Sequence, residues 1–252
     1  MNTRSRLRAG FDLARAGNFF SVASNVLAAL VLSASANVEA DASAGSGPFS
    51  LGWSVLVLAI VGGCLIYAGG ATFNDVFDAS FDARRRPERA IPRGIFSRRD
   101  AAVLASVEML AGVSILILLG AAAAWMAALV AVILVYDWIH KRWIGSVMLM
   151  AGCRVILGCA LASLPGHEFS PAFLGWICIL FVYIVTLSLL ARWECAPGAP
   201  AAKLGPVIGR LLAFIPLIDA SALLLAGAWA PAMACALAVP LGRWAQRLAA
   251  ST

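Results

Sequence analysis

Long apolar segments recur along the chain, and short polar connections separate them. Each segment has about twenty residues, which is enough to cross the hydrocarbon layer of a bilayer as an α-helix. Eight such segments are predicted, at residues 17–36, 50–73, 101–119, 121–140, 145–164, 171–190, 205–225 and 227–246. The pattern predicts an all-α polytopic transmembrane bundle that forms a single domain over residues 1–252.

Composition supports a membrane protein. Hydrophobic residues make up 62% of the 252 residues and charged residues 13%, against about 45–50% and about 25% in soluble domains. The formal charge is +6, but the basic residues lie at the ends of apolar segments and form no continuous stripe. We therefore expect membrane lipid, and no nucleic acid, as a partner.

The basic residues also predict the orientation. Arg and Lys occur in the leader, in every second connection and in the C-terminal tail, whereas residues 37–49, 120, 165–170 and 226 contain none. Eighteen of the nineteen basic residues therefore fall on one side, which places both termini in the cytoplasm by the positive-inside rule. The excess of arginine, with 17 against 2 lysines, indicates a bacterial cell membrane.

The first apolar segment contains polar residues that a simple membrane anchor does not need. Asn18, Ser21 and Asn25 share one helix face at i, i+3 and i+7 spacing. The Arg-rich leader with Ala34-Ser35-Ala36 also fits a signal peptide, but this apolar run is longer than the usual core of one. The two asparagines instead predict hydrogen-bond partners inside a bundle.

The second segment ends in an acidic stretch. At about 100° per residue, Asn74, Asp75, Asp78 and Asp82 share about one third of the helix circumference. Carboxylates so close together repel one another unless a cation lies between them. Oxygen ligands without nearby His or Cys favour Mg²⁺ over zinc, so we expect this face to bind Mg²⁺ and to point into the bundle.

A basic loop follows the acidic helix end. A solvated acidic face balanced by these arginines is the simpler interpretation. Several guanidinium groups, however, also suit the oxygens of a phosphate, and Pro87 and Pro92 keep the loop out of a helix. The arginines are Arg84, Arg85, Arg86, Arg89 and Arg93.

These motifs resemble the UbiA superfamily of intramembrane prenyltransferases. Its first motif, Asn-Asp-x-x-Asp-x-x-x-Asp, matches residues 74–82, and its basic loop, Arg-Pro-x-Arg-Pro-[Ile/Leu]-x-x-Gly, matches residues 86–94 except at Ala90. Two shorter elements are also similar, at residues 15–18 and 136–141. The resemblance implies a membrane enzyme that uses Mg²⁺ to transfer the prenyl group of a prenyl diphosphate to a lipophilic or aromatic acceptor.

The resemblance is incomplete in the second half of the chain. It implies one helix more than the eight segments predicted here, and a second motif, Asp-x-x-x-Asp, after the sixth segment. That connection contains no aspartate, and Glu194 is the only carboxylate available there. The departure is similar to the divergent branch found in bacterial Ebo-type biosynthetic clusters.

The resemblance and the charges together predict the site. The expected catalytic residues are Asp78, Asp82, Lys141 and Glu194. The expected diphosphate-binding residues are Asn18, Arg89, Arg93 and Arg154. The expected metal ligands are Asn74, Asp75, Asp78 and Asp82. Aromatic rings that shield an allylic cation are expected among Tyr67, Phe73 and Tyr183.

Three charged residues within the segments keep two interpretations each. Asp137 lies one turn before Lys141, so the two pair with each other or meet the substrate separately. Arg154 either extends to the cytoplasmic interface or lines the phosphate cavity, and Asp219 either orients the nucleophile or makes an intramembrane hydrogen bond.

Two other functions remain open at this point. A UbiA-like terpene cyclase captures the allylic cation with the substrate's own double bonds. A non-catalytic protein that binds polyprenyl phosphate fits the missing second motif. A transporter is disfavoured, because the sequence contains no internal repeat.

Overall fold

The computed structural model describes residues 3–34, 52–194 and 201–248. Its ten α-helices are α1 (Thr3–Leu13), α2 (Phe19–Ser33), α3 (Trp53–Arg85), α4 (Arg98–Leu118), α5 (Ala123–Ile139), α6 (Ser146–Leu161), α7 (Pro171–Glu194), α8 (Ala201–Ala213), α9 (Ile215–Leu225) and α10 (Trp229–Leu248). A short 3-10 turn, Ala16–Asn18, precedes α2. Within these ranges the only extended pairing is one isolated bridge between Ala34 and His167, which confirms the all-α prediction.

Every predicted apolar segment contains a helix, but the helices differ in length. Five described stretches are long and apolar enough to cross a membrane: Ala16–Ser33, Trp53–Arg85, Arg98–Leu118, Pro171–Trp193 and Val207–Leu225. Ala123–Ile139 and Ser146–Leu161 are shorter apolar helices. The chain is an integral membrane protein, while the count of eight crossings and the cytoplasmic termini stay predictions.

Two helices depart from the predicted boundaries. Helix α3 has 33 residues and continues through the acidic stretch without a break, so the motif is carried on the membrane helix itself. The predicted segment 205–225 is divided into α8 and α9 at Phe214. Pro216 lies in the first turn of α9, where its missing amide N–H is tolerated but an uninterrupted helix is not.

Helices α3 and α4 pack closely because glycines allow their backbones to approach. A Cβ on Gly69 would lie 2.8 Å from the carbonyl oxygen of Ala105, and one on Gly112 would lie 2.6 Å from that of Gly62. Small residues serve this purpose at helix contacts in membranes. These close contacts pack α3 directly against α4.

Helix α2 lies at the centre of the bundle and contacts α3, α6, α7, α9 and α10. Most of its side chains are buried, including Asn25, and Asn18 in the 3-10 turn before the helix is buried as well. Asn25 donates to both carboxylate oxygens of Asp219, at 2.9 and 2.8 Å. Asn18 donates to the Tyr67 hydroxyl at 2.9 Å. The predicted partners of Asn18 and Asn25 are therefore present within the bundle.

Candidate active site

The acidic end of α3 turns inward, as its spacing predicts. Asn74, Asp75 and Asp78 are each 8% exposed and Asp82 is 2% exposed. The opposite face carries Phe77, which is 41% exposed. Helical periodicity thus places the four polar side chains within the protein, where each needs a partner.

Two arginines from different parts of the chain contact Asp75, the first carboxylate of the motif. Arg89 donates to Asp75 at 2.8 Å and to Asp82 at 3.0 Å, so the basic loop folds back onto the helix that precedes it. Arg15, in a left-handed conformation with φ of 47°, donates to Asn74 at 3.1 Å and to Asp75 at 3.3 Å. Both guanidinium groups are therefore held at the helix end by carboxylates.

Asp78, the second carboxylate of the motif, pairs with two residues that directly follow α5. The ammonium of Lys141 lies 2.6 Å from Asp78 Oδ1, and His140 Nε2 lies 3.4 Å from Oδ2. Lys141 also lies 3.6 Å from the centre of the Phe81 ring, in the geometry of a cation–π contact. The alternative in which Lys141 pairs with Asp137 on its own helix is wrong, because the ammonium crosses to α3.

Asp137 instead faces Asn74. Asn74 Nδ2 donates to Asp137 Oδ1 at 3.0 Å. Asp137 is 4% exposed, and its Oδ2 has no hydrogen-bond partner among the described residues. One oxygen of this buried carboxylate is thus engaged by Asn74, and the other is buried without a partner among the described residues.

A cavity of about 460 Å³ opens between the ends of α3 and α5. Its polar wall contains Asp78, Asp137, His140 and Lys141. The remaining lining residues are aromatic side chains, arginines and a serine, namely Phe77, Ser80, Phe81, Arg84, Arg85, Trp138 and Arg142. Charged and apolar surfaces therefore meet in one space.

Two predicted diphosphate ligands lie elsewhere in the bundle. Arg154 donates to the Ser21 carbonyl oxygen at 3.1 Å, to the Ser21 hydroxyl at 3.1 Å, and to Asn25 Oδ1. Asn18 contacts Tyr67 and accepts from Gln246 at 3.3 Å. The described contacts place both residues in the network around α2.

Arg93 and Glu194 complete the set of predicted site residues. Arg93 is exposed in the basic loop, where its backbone N–H donates to the Arg89 carbonyl at 3.0 Å. Glu194 ends α7, but its side chain lies outside the described residues. The structure therefore leaves the role of Glu194 as the sequence analysis stated it.

Sequence reasoning missed several groups in this region. Arg15 and His140 were covered only by the two short elements at residues 15–18 and 136–141, yet both contact carboxylates of α3. Arg192 of α7 donates to the His140 carbonyl oxygen, which brings α7 against the end of α5. Only the tertiary packing relates these residues, so no local signal identifies them.

The residues fit Mg²⁺ in chemistry. They offer carboxylate and amide oxygens, which are the ligands that Mg²⁺ prefers. The described residues contain no group of three or more His, Cys, Asp or Glu side chains placed to hold one metal ion. Such a site matches the usual Mg²⁺ arrangement, in which one or two carboxylates act together with phosphate oxygens.

The fold and the site define an integral membrane protein with a polar, carboxylate-rich site at one end of its helices. The family model described as the UbiA prenyltransferase family matches residues 40–250. The match covers well over half of the chain. The chain belongs to the UbiA prenyltransferase family, as its motifs predicted.

Relatives within the family are named digeranylgeranylglyceryl phosphate synthase. The protein from Methanopyrus kandleri is 37% identical over 43% of this chain and 42% of its own length. The Metallosphaera sedula protein is 31% identical over 53% and 47%, and the Ignicoccus hospitalis protein is 29% identical over 75% and 58%. The chain thus spans about half the length of the curated relatives it matches. These organisms are archaea, so they give the expected bacterial membrane no support.

A solved structure supports the fold. It concerns digeranylgeranylglyceryl phosphate synthase in membranes, and it aligns with a TM-score of 0.58 over 97% of this chain and 95% of its own. The sequence identity is 12%, so this likeness shows the fold alone. The resemblance to the Ebo-type branch stays a prediction.

Proposed function

We propose that this protein catalyses the Mg²⁺-dependent transfer of a prenyl group from a prenyl diphosphate to a lipophilic acceptor within the membrane. The observation that carries the proposal is the convergence of three chain segments on one buried acidic helix end. Arg15, Arg89 and Lys141 each contact a carboxylate of α3 there. Membership in a prenyltransferase family supports the same chemistry.

The basic groups suit the diphosphate. Arg15 and Arg89 contact Asp75 and Lys141 contacts Asp78, so a diphosphate at the helix end meets cations from three parts of the chain. Their present partners are carboxylates, and a guanidinium group binds carboxylate and phosphate oxygens with the same planar geometry. The cations stabilise the negative charge that grows on the leaving diphosphate.

Asn74, Asp75, Asp78 and Asp82 are the residues that would hold Mg²⁺. The ion supplies charge neutralisation at the diphosphate and thereby makes it a better leaving group. The carboxylates keep this role only while they are ionised, and the neighbouring basic side chains favour that state by charge pairing. Glu194 is proposed as an additional carboxylate from α7.

The prenyl chain extends from the helix end toward the middle of the bundle. Tyr67 lies seven residues before Asn74 on α3, which is two helical turns deeper. Its hydroxyl accepts from Asn18 and its ring edge meets Phe19 at 6.3 Å between centroids, so the ring is held in place. Aromatic faces of this kind stabilise an allylic cation. Tyr183, by contrast, donates its hydroxyl to the Leu211 carbonyl at 2.8 Å and serves helix packing.

The names of the relatives indicate the acceptor. Each is a synthase of digeranylgeranylglyceryl phosphate, a glyceryl phosphate with two prenyl ethers. We therefore propose a prenylated glyceryl phosphate with a free hydroxyl as acceptor. The charged end of the bundle carries the basic loop, so the positive-inside rule places the site on the cytoplasmic side.

The test uses purified protein in detergent micelles with Mg²⁺. A ladder of isoprenoid diphosphates is supplied with and without geranylgeranylglyceryl phosphate, and released diphosphate and lipid products are measured. We expect diphosphate release that requires Mg²⁺ and a prenyl ether that requires the acceptor. A cyclic hydrocarbon formed from the donor alone would identify a cyclase, and binding without turnover would contradict an enzymatic role.

A further inference from the structure

We propose that the cavity between the ends of α3 and α5 binds the phosphate head of an anionic glycerophospholipid from the surrounding bilayer. The inference stands apart from the proposed function, because it concerns a lipid that is held at the protein surface and is not consumed. The ligand class is a lipid with an anionic phosphate head and apolar chains. Its binding is measured without any prenyl substrate.

The cavity lies at the level of the lipid headgroups. Exposed tryptophans are typical of the two interfaces of a membrane protein with its bilayer. Trp138 lines the cavity, Trp143 lies in the connection that follows α5, and both are exposed. Trp53 is exposed at the opposite end of α3, where that helix begins. The cavity therefore opens at one interface, beside the phosphates of the lipids.

The rim of the cavity carries positive charge that the protein does not balance. Arg84 and Arg85 end α3, Arg142 follows α5, and all three are exposed and line the cavity. Arg84 donates to the Ser80 carbonyl oxygen at 3.4 Å, and Arg85 lies 5.9 Å from the centre of the Phe81 ring. Within the part of the chain that the structure describes, none of the three arginines forms an ion pair with a carboxylate. Like charges around one cavity repel one another, so an anion between them is stabilising.

The carboxylates that line the cavity do not neutralise this rim. Asp78 is engaged through both oxygens, with Lys141 at 2.6 Å from Oδ1 and His140 at 3.4 Å from Oδ2. Asp137 accepts a hydrogen bond from Asn74 at 3.0 Å. The charge that remains to be matched in the cavity is therefore positive. An anionic head matches it better than a zwitterionic head, which brings an ammonium group next to its phosphate.

An apolar surface continues from the rim toward the middle of the membrane. Phe77 and Phe81 line the cavity at i and i+4 spacing on α3, and both are exposed. On α5, Trp138 lines the cavity, and Val135, about one turn deeper, is exposed as well. Acyl chains can lie along these side chains while the head stays at the rim. A free phosphate would use the rim alone, so the apolar surface favours a lipid.

The shape and the basic groups suit a lipid head. The cavity has a volume of about 460 Å³, within the range of about 300–1,000 Å³ that is usual for ligand pockets. Basic pockets between membrane helices bind the phosphate heads of anionic lipids, and guanidinium groups bind phosphate oxygens with charge-assisted hydrogen bonds. Arg84 and Arg142 come from different helix ends, so one head between them links α3 to the residues after α5.

Native mass spectrometry of the purified protein in detergent micelles tests this site. Phosphatidylglycerol and phosphatidylcholine are titrated in turn, and the lipid molecules retained by each protein are counted. We expect the wild type to prefer phosphatidylglycerol by about 10-fold, and the double variant Arg84→Gln with Arg142→Gln to lose most of this preference. The control Arg98→Gln with Arg243→Gln removes two exposed arginines outside the cavity and should keep the preference.

Fluorescence quenching locates the bound lipid without any change to the arginines. Bromine atoms on the acyl chains quench tryptophans that the chains touch. At equal mole fraction, brominated phosphatidylglycerol should quench the wild type more than brominated phosphatidylcholine does. This difference should be lost in Trp138→Phe, which keeps an aromatic wall in the cavity, and should persist in Trp143→Phe, which alters an exposed tryptophan outside it.

Each remaining outcome overturns the inference in a recognisable way. Equal retention of the two lipids by the wild type, or an equal loss of preference in both double variants, would mean that general attraction to the basic surface explains the binding. Displacement of phosphatidylglycerol by inorganic phosphate would identify a site for free anions. Displacement by geranylgeranylglyceryl phosphate at a much lower concentration would assign the cavity to the acceptor. The absence of diphosphate release would overturn the proposed function and leave the lipid site unaffected.

Discussion

Two buried polar regions of this bundle use the same residue types in different ways. At the charged end, carboxylates of α3 contact arginine and lysine directly, and a cavity opens beside them. In the middle of the bundle, Asp219 is fully buried and accepts from Asn25 and from Trp176 Nε1 at 2.9 Å. Asn25 in turn accepts from Arg154, so an amide lies between carboxylate and guanidinium.

The two regions differ in whether a bound ligand can take the place of a partner residue. The pairs at the charged end lie where a diphosphate or a cation can replace one member. The network around Asp219 links α2, α6, α7 and α9, and every oxygen of that carboxylate is satisfied within the protein. Buried charges in a membrane are costly unless fully paired. We propose that the mid-bundle network supports the positions of the helices and that the chemistry takes place at the charged end.

The largest expected effect is on catalysis at the charged end. Asp78→Ala and Asp82→Ala should each reduce Mg²⁺-dependent diphosphate release by about 10³-fold, because each removes a carboxylate from the site that stabilises the leaving group. The measurement is diphosphate release by purified variants that elute as the wild type does. Turnover at the wild-type rate in either variant would contradict the site assignment.

Removal of the Asp219 carboxylate should lower the stability of the folded protein. Asp219→Ala leaves Trp176 and Asn25 without their acceptor and Arg154 without a nearby anion, so we expect a loss of about 3 kcal/mol in stability. Thermal or denaturant unfolding in micelles measures it, and the variant that remains folded should keep its donor KM.

A second substitution sharpens this comparison. Adding Arg154→Met to Asp219→Ala should restore part of the lost stability, since the unpaired charge is removed. If Arg154 instead binds diphosphate, as its position on an apolar segment allowed, Arg154→Met alone would raise the donor KM strongly. An unchanged donor KM would exclude Arg154 from the diphosphate site.

The smallest effect is expected at the end of α7. Glu194→Gln should change diphosphate release by less than about 3-fold, well below the change for loss of a directly bound catalytic group, because the acidic end of α3 already carries four buried polar side chains. The Mg²⁺ concentration that gives half-maximal release is the sensitive measurement. A large rise in that concentration would show that Glu194 takes the place of the missing second motif.

Much of the fold follows from local pattern. Each apolar segment contains a helix, and the 3.6-residue period correctly turns Asp75, Asp78 and Asp82 inward and Phe77 outward. The family follows from residues 74–94, where side-chain types and spacing are all local. The break at Phe214 was missed, although Pro216 is its evident local cause.

The sequence by itself determined that this chain lies in a membrane, which helix carries the acidic face, and to which family it belongs, because hydropathy and helical periodicity depend on neighbours in the chain. Only the tertiary structure decided the partners. Asn25 donates to Asp219, which lies 194 positions further along the chain. Lys141 pairs with Asp78, although Asp137 is much nearer to it in sequence. Such pairings depend on how helices pack against one another, and residues far apart in the chain carry no local sign of them.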